Sequence, residues 1–315
     1  MDRLDAMKVF VTALDEGSLA AAGRRLRHSP AAVTRALAAL ETYVGTKLLH
    51  RTTRAIKLTE AGERYLETCR RVLSELDEAG VQAAGERSAP HGLLTLTAPL
   101  AAGARLFRPV VDGFLRTQPA VQARLLLLDR TVNLVDEGVD VALRIGHLPH
   151  SSLIAVRVGE VRRMICASPA YLKPKARITS PADLAQHEII TLGDTAQSST
   201  WTFPASRGSK RISKVKLTPR LFINTVEGAI GSATEGYGIT RALSYQVERE
   251  IRAGQLVPLL EDYEPPALPV HLIVPAGRTS VAKVRAFMDF AVPRLRAAFA
   301  KRDGAERGRK QVRGS

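Results

Sequence analysis

From Glu60 to Glu86 the chain contains no proline, and Leu66, Cys69, Leu73, Leu76, Gly80 and Ala83 recur at alternating spacings of three and four. That is the pattern of one continuous helix with an apolar seam. A helix of about 27 residues reaches on the order of 40 Å, too long to lie across one small domain. A rod at this place divides the 315 residues into a small N-terminal and a large C-terminal folding unit, in keeping with roughly 100 to 200 residues per domain. The seam suits pairing with the same helix of a second copy; packing against the chain's own C-terminal unit is the alternative. Ser88, Pro90 and Gly92 then form a hinge.

The sixty residues before the rod read as three short helices. Leu4, Met7, Phe10, Val11 and Leu14 mark the first, over residues 4–16, and Gly17 stops it. Ser18 caps a second over 19–26, rich in Ala20, Ala21, Ala22 and Gly23, small enough for close packing. Ser29 caps a third that has Pro30 at its first position and Gly45 at its end, with Val33, Leu37, Leu40 and Val44 as its inner stripe. That stripe turns Ser29, Ala31, Thr34, Arg35 and Ala38 outward, a small and basic surface suited to the major groove of DNA. In KLLHRTTRAIKLT, Leu48, Leu49, Ile56 and Leu58 can pack inward while Arg51, Thr52, Thr53 and Arg54 form the connection of a hairpin. A solvated basic hairpin would look the same, so the order of the parts carries the argument.

The segment SLAAAGRRLRHSPAAVTRALAALETYVGTKLLHRTTRAIKLTEAG resembles the signature of LysR-type transcriptional regulators, down to Leu58, Thr59, Ala61 and Gly62 of the closing Leu-Thr-x-Ala-Gly. The resemblance implies a winged helix-turn-helix that binds double-stranded operator DNA, with Thr34 and Arg35 reading from the recognition helix and Arg51 and Arg54 from the wing. Ser29, Pro30 and Ala31 complete the expected DNA-binding set. Two positions depart from the family: Pro30 stands where glutamine is common, and Thr34 where serine is. Pro30 cannot hydrogen-bond a base, so the family's base contact at that position is in doubt.

Beyond the hinge, strands and helices alternate, the order of an α/β domain. Strands are expected at LLTLTA, Val121–Leu128, Val139–Ile145, Ile189–Leu192, Val215–Phe222 and Val270–Val274. Helices are expected at Ala101–Arg116, Val132–Glu137, Pro181–Ala185, Val226–Glu235, Tyr245–Ala253 and Ser280–Phe299. ASPAYL and LVDEGVDVALRIG are similar to phrases of the effector domain of the same regulators. The resemblance implies a two-lobed, periplasmic-binding-protein-like clamp: an α/β effector domain preceded by the all-α-plus-wing DNA-binding domain and the linker helix. The expected boundaries are 1–59 for the winged domain, 60–87 for the linker, and 88–300 for the clamp. Within the clamp, one lobe is 88–165 with 268–300 and the other 166–267. Residues 301–315 are expected to be a disordered basic tail.

In such clamps a ligand lies between the lobes, against helix N-termini and strand ends, where free N–H groups favour an anion. A small-molecule carboxylate effector is therefore expected, lined by Pro99, Leu100, Ala101, Arg130, Thr131, Arg144, Ile145, Trp201 and Thr225. For Trp201 a packed core aromatic is the plain alternative, for Arg130 a solvated charge, for Thr225 a helix cap.

Charge and composition narrow the partners. The net charge is +15 with pI near 10.3, of which residues 1–60 hold +4 and residues 294–315 hold +6; a polyanion suits that distribution. A homodimer or homotetramer is expected from the seam, with RNA polymerase a further candidate partner. Hydrophobic residues at 45% and charged ones at 24% are those of a globular protein. Asp2 and Asp5 sit where a secretory leader would be basic and then apolar, so the expected compartment is the cytoplasm, without a membrane partner. Cys69 and Cys166 are too few and too far apart for a disulfide framework or a zinc site. No Gly-x-Ser-x-Gly elbow or phosphate loop is present, Gly236-Tyr237-Gly238 lacks the third glycine of a dinucleotide turn, and His147 with His150 has no acidic or thiol neighbour. No catalytic residue, metal or cofactor is expected.

Overall fold

The computed structural model describes residues 2–51, 56–83, 89–148, 153–193, 200–205, 209 and 211–313. The first helix, α1 (Arg3–Asp15), packs Met7, Val9, Phe10 and Ala13 inward. α2 (Leu19–Leu26) is capped by Ser18, whose hydroxyl accepts from the Ala21 N–H at 3.1 Å. α3 (Pro30–Val44) is capped by Ser29, which accepts from Ala32 at 3.2 Å, and ends at Gly45 with φ +76°. A short antiparallel hairpin follows, β1 (Leu49–Arg51) on β2 (Ile56–Leu58), with Leu49 opposite Leu58. α4 (Glu60–Ala83) then begins the linker.

The front half of the linker seam does not wait for a partner. Leu66 is 8% and Cys69 0% exposed, and both join Phe10, Val33, Leu37, Leu40 and Leu48 in one core, with Leu73 packed at its margin. The Tyr65 ring stands 6.4 Å from that of Phe10. Leu76, at 45% exposure, is where the seam becomes free. The helix departs directly from β2, so its first turns must lie over α1, and neither expectation for the seam foresaw this neighbour. Residues 84–88, the expected linker end, lie outside the described residues.

The rest of the chain runs β3 (Gly92–Ala98), α5 (Leu100–Ala102), a π-helical turn at Gly103–Phe107, α6 (Arg108–Thr117), β4 (Val121–Leu127), β5 (Val141–Ile145) and β6 (Leu153–Val161). Next come β7 (Arg163–Ala167), α7 (Pro169–Leu172), a 3-10 turn at Pro181–Gln186, β8 (Ile189–Leu192), β9 (Thr200–Pro204), β10 (Ile212–Lys216) and β11 (Pro219–Ile223). α8 (Val226–Thr234), β12 (Ile239–Leu243), α9 (Ser244–Arg252), β13 (Val257–Leu259), β14 (Leu268–Pro275) and α10 (Ala282–Arg313) complete it. Among the described residues two five-stranded sheets result, ordered β4-β3-β5-β14-β6 and β11-β8-β12-β7-β13, while β9 and β10 pair with each other alone. The chain leaves the first sheet after β6 and re-enters it as β14, so two segments join the lobes. The core of the first lobe is aromatic, with the Phe287 ring edge-on to Phe107 at 5.8 Å and to Phe114 at 5.1 Å.

Several expected elements differ. The first crossing falls at Arg162, ahead of the expected boundary at 165, because Cys166 lies inside β7 and pairs with Thr240 and Pro258. The helix expected over 132–137 is replaced by turns at 134–138: the Asn133 side chain accepts from the Val135 N–H at 3.2 Å and donates to Asp136 at 2.5 Å, local bonds that compete with helix. The strand expected over Val215–Phe222 breaks into β10 and β11, with different pairing partners, at Pro219, which has no N–H to donate. The tail is not irregular through 313, since α10 continues to Arg313. Its Lys, Arg, Ala, Glu and Gln residues are good helix formers, the helix leaves a buried Phe299, and Arg302 is pinned to Glu248 at 2.5 Å.

Candidate nucleic-acid interface and effector cleft

The outer face of α3 is set by what its inner face buries. Val33, Ala36, Leu37 and Leu40 are each at most 1% exposed, and Ser29, Pro30, Ala31, Thr34, Arg35 and Ala38 are exposed on the other side. The Ser29 hydroxyl serves the helix cap, and the Thr34 hydroxyl donates to the Pro30 carbonyl at 3.0 Å. Among the described residues no carboxylate pairs with Arg35, so its guanidinium is uncommitted. Arg51 is the last residue of β1; Thr52, Thr53 and Arg54 lie outside the described residues.

Two anchors that sequence reasoning missed fix the wing to α3 and α4. Glu41, 5% exposed, accepts from the backbone N–H of Leu48 at 3.1 Å and of Leu49 at 3.4 Å, and pairs with Lys47 at 2.8 Å. Burial pushes its carboxyl up, but the bonds from Lys47, Leu48 and Leu49 outweigh that and hold it below the ordinary value. Its signal was readable: Glu41 is an acid four residues after Leu37, on the buried stripe. Thr59 donates its N–H to the Leu48 carbonyl at 3.0 Å and its hydroxyl to the Lys47 carbonyl at 2.7 Å, and accepts from the Gly62 N–H at 2.9 Å. A Cβ on Gly62 would stand 2.0 Å from the Leu48 oxygen. The Thr-x-x-Gly of the closing motif is thus a helix cap followed by the only residue that tolerates such close backbone approach.

The expected cleft residues separate into three groups. Pro99 caps and Leu100 and Ala101 begin α5, where the Leu100 N–H already donates to the Asp129 carboxylate at 2.9 Å. Arg130 is bidentate on Glu137, 2.7 Å at both oxygens, with exposed Thr131 beside it. Arg144 and Ile145 end β5; the Ile145 side chain packs toward the core, whereas the Arg144 Nη2 is buried without a partner among the described residues. Thr225 caps α8, accepting from Gly228 at 3.4 Å. Trp201, at 2% exposure, packs with Phe203, Leu217 and Ile239 in the second lobe, as its core alternative has it, and Arg241 covers its ring at 4.9 Å. Its strand pairs with β10, Trp201 opposite Val215, and this ribbon carries it into the second lobe's core. Between the lobes, Arg105 of the π-turn donates to the Gln246 carbonyl of α9 at 2.5 Å.

Other chemistry is quiet. Burial pushes the Cys69 thiol up to about 11 and the Cys166 thiol up to about 12, so neither offers a thiolate near neutral pH. Gly236 and Gly238, φ +87° and +157°, form the turn from α8 to β12. Among the described residues no three His, Cys, Asp or Glu side chains gather as a metal site, and no helix is long and apolar enough to cross a membrane. His150 lies outside the described residues.

A three-helix domain with an exposed, serine-capped helix and a hairpin wing, carried on a long helix ahead of a two-lobed α/β clamp, defines a DNA-binding regulator with a sensing domain. The chain belongs to the LysR family: residues 4–63 match the bacterial regulatory helix-turn-helix of that family and residues 87–296 its substrate binding domain. It is 31% identical over 292 residues to an HTH-type transcriptional repressor of Pseudomonas aeruginosa, covering 93% of this chain and 92% of that one. It is also similar to the solved structure of CrgA, a LysR-type transcriptional regulator from Neisseria meningitidis, at TM-score 0.58 and 28% identity, over 92% of this chain and 98% of that one. The full-length virulence activator AphB of Vibrio cholerae gives TM-score 0.58 at 26% identity over 93% and 99%. The protein is accordingly a transcriptional regulator with a DNA-binding helix-turn-helix and a domain of the kind that binds small-molecule effectors.

Proposed function

We propose that the protein acts as a homodimer or homotetramer on a partly symmetric operator, with Ser29, Pro30, Ala31, Thr34 and Arg35 at the groove and Arg51 and Arg54 at the backbone. The uncommitted Arg35, on a helix face held rigid by its buried opposite side, is the observation that carries this reading. Two copies joined beyond Leu76 would present two recognition helices to two half-sites. The working units are 1–59, 60–87 and 88–300. A carboxylate effector between the lobes shifts the balance of two domain arrangements by the difference in its affinity for them. The protein works as a regulator rather than an enzyme, without cofactor or metal, in the cytoplasm, with RNA polymerase a candidate partner at the promoter. One similar protein is described as a repressor and another as an activator, so the sign of control rests on where the operator lies.

A gel-shift titration on DNA upstream of the protein's own gene, against unrelated DNA at physiological salt, tests this. Selective binding that falls about tenfold or more in Arg35→Ala is expected, equivalent to one good base contact of about 1–3 kcal/mol. Equal binding to both DNAs would favour a charge-driven, nonspecific binder.

A further inference from the structure

Three neighbouring strands of the first lobe carry a row of basic residues. Arg144 of β5 is in register with His271 of β14, and His271 with Arg157 of β6. Cross-strand partners share a face of the sheet, so all three stand on the side of Ala142 and Ile273, away from the core strands' Leu143 and Leu272. Two guanidiniums flanking one imidazole on a sheet face are eased by an anion among them. Arg157 has its own, Glu160 at 2.5 Å. Arg144 does not: the nearest acid, Glu137, spends both oxygens on Arg130, and Nη1 reaches only the Leu143 carbonyl at 3.4 Å. Arg144 Nη2 and His271 Nδ1 are both buried, with no hydrogen-bond partner among the described residues.

We propose that Arg144 and His271 form an anion subsite that takes the carboxylate of a small monoanionic effector, bridging the two orphaned nitrogens. This rests on the effector reading above and deepens it by naming the group that is held and the residues that hold it. The two nitrogens belong to residues directly opposite each other in the β5–β14 register, on one face of the sheet. The charge also matches. Burial, then the nearby Arg157 and His147, hold the His271 imidazole below its ordinary pKa, leaving it neutral near pH 7 and able to donate through Nδ1. Arg144 remains the one cation, because burial lowers a guanidinium from a value far above neutrality. The site is near the lobe junction, since β6 and His271's own strand β14 cross to the second lobe at the Val161 and Leu268 pair. On its inner side Ala142, Ile273, Val132 and Leu153 form an apolar wall, which suits a carboxylate with a compact apolar body. Arg144 itself is partly exposed, so rotation of its side chain opens the subsite without moving the strands.

The test is a titration of the full-length protein with benzoate, and separately with benzamide, at constant ionic strength. The His271 imidazole signal and the melting temperature are followed in wild type, Arg144→Gln and His271→Leu, with Arg144→Lys as a control that keeps the charge. The expected result is a saturable response to benzoate and not to benzamide, weakened at least tenfold in Arg144→Gln, several-fold in His271→Leu, and least in Arg144→Lys. Absence of a His271 response in wild type, an equal response in Arg144→Gln, or an equal response to benzamide would overturn the subsite. The regulator reading is scored on the same samples by operator binding. If benzoate alters operator affinity equally in wild type and Arg144→Gln, the carboxylate effector stands and this subsite falls; if only a neutral compound alters it, both fall.

Discussion

The DNA-binding domain and the effector clamp are built by opposite means. In the first, each element is closed by residues beside it: Asp2, Ser18 and Ser29 start the helices, and Gly45 stops the third. In the clamp, contacts run between distant parts of the chain. β14 lies between β5 and β6, Asp140 receives the Thr95 N–H at 2.7 Å and pairs with Arg278, and Arg162 meets Glu264 at 2.7 Å. Between the two regions runs the 2.7 Å ion pair Arg124–Glu67, with side chains 40% and 61% exposed, of a type worth about 0–1 kcal/mol. The contrast teaches that the regions should unfold as separate units and reorient at small cost, as a sensor coupled to a reader requires.

Calorimetry of the full chain, resolving two transitions, can break that comparison. The largest expected effect is Phe287→Ala, which empties the centre of the aromatic cluster and should cost the clamp about 3–5 kcal/mol while leaving the DNA-domain transition in place. Movement of both transitions together would show that the regions are one cooperative unit. Gly62→Ala should do the reverse, costing the DNA domain about 1–3 kcal/mol through overpacking against the Leu48 carbonyl. Glu41→Gln should lower the same transition by about 1–2 kcal/mol, with a distinct pH signature. Because the Glu41 carboxyl is depressed on folding, its stabilisation is complete above the ordinary carboxylate value and lost as pH falls through the lower folded one. Wild type and Glu41→Gln should therefore converge in acid; curves that stay parallel would remove Glu41 as the wing anchor. The smallest is Ser29→Ala, about 1 kcal/mol for a lost N-cap, confined to the DNA domain.

How much was legible follows the same division. Caps and stops placed the three N-terminal helices almost to the residue, and the apolar stripe of α3 told which residues face outward. The clamp's alternation of strands and helices was readable, but β6 and β7 went unnoticed, because their partners are β14, β12 and β13, far along the chain. Among cleft residues the sequence marked Arg144 by type and place. It could not show that Arg130 is consumed by Glu137, that Asp129 takes the Leu100 amide, or that Trp201 is core.

By itself the sequence determined the three helices, the linker rod and the alternation of strands and helices, because caps, stops and apolar periods act over a few residues and need no distant partner; the class of protein, its wing and the two-lobed clamp were implied by its resemblance to LysR-type regulators. Only the tertiary structure decided what the linker seam covers, where the lobes cross, and which basic groups are left without a counter-ion. Those outcomes depend on which strands become neighbours, and pairing across a hundred residues leaves no local mark in the chain.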